Sequence, residues 1–172
     1  MTVLLLVRHG ETDWNAGGRL QGHTDRPLNE AGRRQAKALA DELDGEGVEA
    51  IYASDLARAR ETAEILGVRL GLPVVLDPDL REKNWGTWEG LTPAERERVE
   101  FAGETTEEHR ERTLAALRRI AERHPDGRVL VVSHGGSLRR VQAAALGLAL
   151  PVLENCGRWG VLCEAGVFRA ID

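Results

Sequence analysis

The stretch that most constrains this chain is Leu4-Leu5-Leu6-Val7, which stops abruptly on Arg8-His9-Gly10. Consecutive aliphatics without alternation mark a strand covered on both faces. Val129-Leu130-Val131-Val132 repeats the design and stops on Ser133-His134-Gly135-Gly136. A buried strand ending on a cation and an imidazole side by side implies an anion to meet them. Two strand-end histidines in one chain point to one site assembled from both.

The segments between these strands set the fold class. Thr2 to Val7 reads as the first strand. Residues 8–28 hold no period and are broken by Gly10, Gly17, Gly18, Gly22 and Pro27, and a loop of that length in a compact domain is usually functional. Asn29 caps a helix running to about Leu43, which Gly45 and Gly47 end. Ala50 to Ala53 is a short strand, and Ser54 caps a helix over roughly 55–66 that carries Arg58 in its first turn. Val74 to Leu76 is a third strand, followed by irregular chain through Gly90. Thr92-Pro93-Ala94-Glu95 and Thr105 with Glu108 are capping boxes, the second opening a helix to about Arg123. Arg128 to Val132 is a strand, a helix then starts at Gly135 or Gly136 and ends near Gly147, and the tail is a hairpin turning at 164–166. Alternating strands and helices predict an α/β three-layer sandwich: a mostly parallel sheet, helices on both faces, and an antiparallel edge.

At 172 residues the chain is expected to form a single domain, residues 1–172, burying roughly 70% of its unfolded surface. The net charge of −5 provides no global basic field, which excludes a nucleic-acid or acidic-membrane binder. An anion site must then be a local gathering of positive charge. The supply is almost all arginine: only Lys37 and Lys83 of the 23 basic residues are lysine. Two cysteines at odd spacing and a short N-terminal apolar run predict no disulfide framework, no membrane span and a cytoplasmic location.

Ligands of such sheets bind at the carboxyl ends of the strands. Polar residues collect there three times: Arg8-His9, Ser54 to Arg58, and Ser133-His134. Zinc needs about three protein ligands, and arginines beside the histidines would repel it, so no metal is expected. Phosphate fits better. The guanidinium fork matches phosphoryl oxygens, and a neutral imidazole is a competent nucleophile toward phosphorus. Cationic neighbours keep His9 neutral, and Glu82 could protonate the leaving oxygen.

The residues then resemble a known family. Arg8-His9-Gly10-Glu11-Thr12 with Trp14-Asn15 looks like the signature of the histidine phosphatase superfamily, in its phosphoglycerate-mutase-like branch. The likeness continues through Leu20-Gln21-Gly22-His23-Thr24, Ser54-Asp55-Leu56-Ala57-Arg58, Leu80-Arg81-Glu82, Trp85-Gly86-Thr87-Trp88-Glu89-Gly90, Gly103-Glu104-Thr105 and Val132-Ser133-His134-Gly135-Gly136. The resemblance implies that His9 is phosphorylated, that Arg8, Arg58 and His134 form the phosphate pocket, and that Glu82 is the general acid. It implies contacts to phosphate or substrate from Asn15, Gln21, Gly22 and Gly135, and no metal or organic cofactor. Lys83 and Asn84 depart from the pattern and would set a cation beside the acid.

The family includes mutases as well as phosphatases. Mutases carry a long insertion after the acid loop; here only Thr92 to Ala102 stands there. A short lid admits water, so the expected activity is hydrolysis of a small phosphate monoester, as in the α-ribazole-5′-phosphate phosphatases and broad-specificity phosphatases it resembles. Cofactor-dependent phosphoglycerate mutase is the alternative, and a non-catalytic phospholigand-binding module a weaker one. Other features take plain readings. Trp14, Trp85 and Trp88 anchor loops, and Gly10 lets the backbone turn. Arg33-Arg34, Arg118-Arg119 and Arg139-Arg140 lie on solvated faces. Ser133 and Ser137 cap, and His109 and His124 are surface residues. Edge strands of the C-terminal half could pair in a homodimer.

Overall fold

The computed structural model describes residues 1–148 and 150–171. The chain runs β1 (Thr2–Arg8), α1 (Asp13–Ala16), α2 (Glu30–Glu42), β2 (Ala50–Ala53), α3 (Ala57–Leu70), β3 (Val74–Leu76), α4 (Pro93–Arg96), α5 (Thr106–Arg123), β4 (Arg128–Ser133), α6 (Gly135–Leu146), β5 (Arg158–Glu164) and β6 (Val167–Ala170), with 3₁₀ turns at Pro78–Leu80 and Gly86–Trp88. The strands form one sheet in the order β3-β2-β4-β1-β5-β6. The first four are mutually parallel, and β5 and β6 close the edge antiparallel, as the sequence predicts. Among the described residues no helix is long and apolar enough to cross a membrane.

The unbroken aliphatic runs are used on both faces. Leu4, Leu6, Val129 and Val131 pack under Leu114, Leu117, Ile120, Leu138 and Val141 of α5 and α6. Leu5, Val7, Leu130 and Val132 pack against Leu39, Ala40, Leu43, Ala59, Ala63 and Leu66 of α2 and α3. Successive side chains of a strand point to opposite faces, so each run contributes to two cores. Pairing in register sets Arg8 opposite Ser133, which brings the next residues, His9 and His134, side by side.

One helix differs from expectation at its ends. Ser54 does not cap α3: the N-cap is Leu56, without a side-chain cap bond. The first helical N–H, from Ala57, goes to Asp25 Oδ1 at 2.6 Å, while the Ser54 hydroxyl pairs with His134. The helix then runs to Leu70 and stops at Gly71, φ 68°. By contrast α2 ends as expected, at Glu42 with Leu43 as C-cap and Gly45 and Gly47 just beyond. Part of the irregular chain after His9 is the single turn α1, closed by a Thr12–Asn15 capping box.

Gly10 serves closeness rather than a turn. A Cβ built on it would lie 2.6 Å from the Gly32 carbonyl oxygen, and one on Gly32 would meet the Glu11 backbone. The loop after β1 and the first turn of α2 touch backbone to backbone. We expect Gly10→Ala or Gly32→Ala to cost about 1–3 kcal/mol through overpacking, read as a lower urea midpoint at constant slope. An unchanged midpoint in both variants would contradict this contact.

Candidate active site

His9 leaves the end of β1 and is 3% exposed. Its Nδ1 lies 2.7 Å from the Gly10 carbonyl oxygen. A carbonyl only accepts, so Nδ1 bears the proton and Nε2 keeps the lone pair. Burial, then the charges of Arg58 and Arg8, hold this imidazole well below its ordinary 6.5. The ring is therefore neutral near pH 7, as the sequence predicts.

Arg58 is 1% exposed. It donates to Gly22 O at 2.7 Å and Thr24 O at 3.1 Å. Burial lowers its pKa to about 10, opposed by Glu82, Asp25 and Glu89, and the group stays charged. Arg8 donates to Leu153 O at 2.6 Å. Nε of Arg8, Nε of Arg58 and Nδ1 of His134 are buried with no partner among the described residues. Each such orphan costs about 1–3 kcal/mol, more for a charged group, which is tolerable where an anion is to be received. His134 Nε2 sits 2.8 Å from Ser54 Oγ, and its ring meets that of His9 edge-on, 5.2 Å between centroids.

Glu82 approaches from the loop after the first 3₁₀ turn. Its Oε1 accepts from the Lys83 N–H at 2.8 Å and its Oε2 from the Gly136 N–H at 2.9 Å. A Cβ on Gly136 would lie 2.9 Å from the Glu82 carboxyl carbon, so the glycine lets the carboxyl reach the start of α6. The loop is pinned from behind. Arg112 of α5 donates to the carbonyls of Asp79, Arg81 and Glu82 at 2.9, 3.1 and 3.2 Å and forks onto Glu104 at 2.9 Å. The His23 ring donates to the Glu82 carbonyl at 2.8 Å. Glu89 accepts from the backbone of His23, Thr24 and Trp85, tying the two loops together. Lys83 does not present its charge to the acid. Its ammonium lies over the Trp85 and Phe101 rings, 4.5 and 5.0 Å from their centroids, and bonds Thr106 Oγ1 at 3.2 Å.

These elements enclose a cavity of about 260 Å³. Arg8, His9, Asn15, Gln21, Gly22, Arg58, Glu82 and Gly135 line it, all of them singled out in the sequence. His134 was expected among them but stands behind His9, fully buried. Thr12 Oγ1 donates to Gln21 Oε1 at 2.7 Å, and the Thr12 backbone N–H donates to Asn15 Oδ1 at 3.1 Å. That occupies both amide oxygens and leaves the NH₂ groups for the cavity. Gly22 contributes its carbonyl, which aims Arg58.

The structure adds Arg19, Leu20, Trp85, Gly136, Arg139, Arg140 and Val152 to the wall. The pair Arg139-Arg140 is thus no merely solvated face, because the first turns of α6 stand beside the cavity. Trp85 stacks on Trp88, 6.2 Å between centroids, and also lines the site. Ser133 and Ser137 do not cap; their hydroxyls donate to Leu80 O and Arg81 O, at 2.8 and 3.1 Å. His109, expected at the surface, is 1% exposed between α5 and α6. It falls on the helical stripe of Thr113, Leu117 and Ile120, a signal that the charged neighbours masked. His124 is half-buried and pairs with the Tyr52 hydroxyl at 3.0 Å. Among the described residues no group of three or more His, Cys, Asp or Glu is placed to hold a metal ion.

The chain matches the profile of the histidine phosphatase superfamily (branch 1) over residues 4–159. It is 38% identical to the metal-independent phosphoserine phosphatase of Arabidopsis thaliana over 179 residues, covering 90% of this chain and 75% of the relative. It is 40% identical to the probable phosphoglycerate mutase GpmB of Yersinia pestis, covering 91% and 82%. The solved structure of Bacillus stearothermophilus YhfR superposes with a TM-score of 0.91 at 33% identity, covering 99% of this chain and 95% of that one.

The buried imidazoles make stability depend on pH. His9, His134 and His109 are all lowered by burial, His109 to about 4. Below pH 6.5 the unfolded chain binds protons that the folded chain refuses, so stability holds above that value and falls as pH drops toward the folded values. Each tenfold difference in proton affinity is worth about 1.4 kcal/mol. Asp55, lowered by Arg81, and Glu104, lowered by Arg112 against burial, add a further loss at more acid pH. Urea midpoints measured from pH 8 to 4 should fall by several kcal/mol equivalent below pH 6.5; a flat profile to pH 5 would mean that these rings are not buried neutral.

Proposed function

The chain belongs to the histidine phosphatase superfamily, and from that premise we propose that it hydrolyses small organic phosphate monoesters through a phosphohistidine on His9. The observation that carries this reading is the His9–Gly10 bond, which commits Nδ1 and leaves the Nε2 lone pair for a cavity walled by the buried Arg58, the half-buried Arg8 and a carboxyl. Arg8 and Arg58 hold the phosphoryl oxygens. Nε2 attacks phosphorus, the ester P–O bond breaks, and Glu82 gives its proton to the departing alkoxide. Water then attacks the phosphohistidine, Glu82 takes the water's proton, and the P–N bond breaks to release inorganic phosphate. His134, held by Ser54, supports the His9 ring from behind.

The names of the relatives divide between phosphatase and mutase. The segment 92–102 favours hydrolysis. None of its residues lines the cavity. It is bound instead to its own aromatic cluster: Trp88 Nε1 donates to Val99 O at 2.8 Å, Thr87 Oγ1 to Glu100 O at 2.7 Å, and Phe101 packs on Trp88 at 4.9 Å between centroids. A mutase must retain a bisphosphate against water, and this lid does not cover the site. Five arginines line the cavity against one carboxylate, and Arg139 and Arg140 pair with no acid among the described residues. That excess suits an ester whose organic part is also anionic.

His9→Ala should lower turnover of p-nitrophenyl phosphate by at least about a thousandfold; near-parental turnover would rule out the phosphohistidine. With 3-phosphoglycerate and catalytic 2,3-bisphosphoglycerate, free phosphate should be the main product. Rapid formation of 2-phosphoglycerate with little phosphate would establish the mutase instead. In the same panel, phosphate esters bearing a carboxylate should exceed their uncharged counterparts in kcat/KM by about tenfold, equivalent to one charge-assisted contact.

A further inference from the structure

His109 is buried, titratable and unused by the chemistry just described. Its Nε2 lies 2.9 Å from Ser137 Oγ on α6 and 3.6 Å from Glu82 Oε1. Ser137 Oγ also lies 3.1 Å from the Arg81 carbonyl oxygen. That carbonyl can only accept, so it takes the single hydroxyl proton of Ser137, and the hydroxyl oxygen must accept from the ring. Nε2 of His109 therefore bears the proton, and the partnerless buried atom is Nδ1. The tautomer turns an N–H, rather than a lone pair, toward the carboxyl. Packing alone would not ask for this residue. Leucine would continue the apolar stripe of α5 without burying two ring nitrogens, one of them orphaned.

We propose that His109 is a positioning residue for Glu82: its Nε2–H, shared with Ser137, turns to Oε1 once the carboxyl has given up its proton, and holds the anion in line for the water step. The proposal rests on reading Glu82 as the acid–base group. At 3.6 Å the contact is longer than a hydrogen bond, and catalytic contacts of this kind tighten when the site is loaded. Each Glu82 oxygen already takes one backbone N–H, and a carboxylate oxygen has room for a second donor. The charged and titratable groups around the ring are Glu82 on the acid loop, Glu104 before α5, Arg112 on α5, and His134 and Arg140 at the start of α6. Burial outweighs the two carboxylates and keeps the ring neutral. Its donor then acts as a fixed dipole throughout the working pH range.

The test compares His109→Leu, which removes the donor, with His109→Gln, which returns an N–H at similar reach. The reference is the pH limb of kcat that Glu82→Gln abolishes. His109→Leu should lower kcat by about tenfold, the worth of one hydrogen bond to a charged group. It should leave KM within about twofold and move that limb to higher pH by roughly half a unit, because losing a donor to the carboxylate disfavours the anion. His109→Gln should restore the limb and most of kcat. An independent measurement needs no substitution: ¹⁵N resonances of the imidazoles in the intact protein should show His109 as the Nε2–H tautomer, with its proton signal moving when vanadate occupies the site. The proposal is overturned by the Nδ1–H tautomer, by a leucine variant altered only in melting temperature, or by a glutamine variant no better than leucine. Failure of the underlying reading shows separately, as a pH profile that Glu82→Gln does not change.

Discussion

A buried imidazole, proposed here as the nucleophile, stays neutral while surrounded by fixed positive charge, and that constraint organises this molecule. The parallel strands β1 and β4 bring His9 and His134 together at their carboxyl ends, where both rings are buried. Burial and the two guanidiniums act in the same direction on the His9 ring, so desolvation, a cost elsewhere, here keeps the lone pair available. The same arginines that hold the ring neutral are the ones placed to take the phosphoryl oxygens.

The second requirement is that a carboxyl reach this cationic pocket without pairing away its charge. The structure meets it with backbone. Glu82 is held by two peptide N–H groups rather than by Arg8 or Arg58. Its loop is held through its carbonyls by Arg112, whose own charge is taken by Glu104. Glu89 ties the acid loop to the loop carrying Gln21, Gly22 and Thr24, in which the Gly22 and Thr24 carbonyls aim Arg58. Glu82 and Arg58, the proposed acid and phosphate-binding arginine, are thus positioned by one continuous network, and a change in either loop is felt at both.

Much of this was legible in the sequence. Unbroken aliphatic runs revealed the buried parallel strands, and His9, His134 and Arg58 stood where strand ends place ligands. Hidden were residues whose contacts are distant in sequence. Ser54 looked like a cap because serine before a helix usually is one, yet its hydroxyl goes to a histidine 80 residues on. His109 sat among glutamates and arginines, and composition overrode a period that put it on the buried stripe. Arg139 and Arg140 resembled any exposed basic pair, since only the meeting of α6 with the loop after α1 turns them toward the cavity. Gly10 suggested a turn, whereas its reason is a backbone contact with Gly32 that no local rule detects.

The strong preference for arginine over lysine acquires a physical use at this site. Burial, opposed by the nearby carboxylates, brings Arg58 down to about 10, which leaves it charged at neutral pH. A lysine starts lower, near 10.4, so the same burial would bring it closer to losing its proton. Lys83 bears this out on a smaller scale: burial lowers it too, and its ammonium turns to aromatic faces and a hydroxyl instead of the phosphate pocket. A site that uses desolvation to keep histidine neutral must draw its positive charge from a group that desolvation cannot neutralise. Among the natural side chains that group is guanidinium. The neutral nucleophile and the charged cradle are therefore one solution to a single dielectric environment.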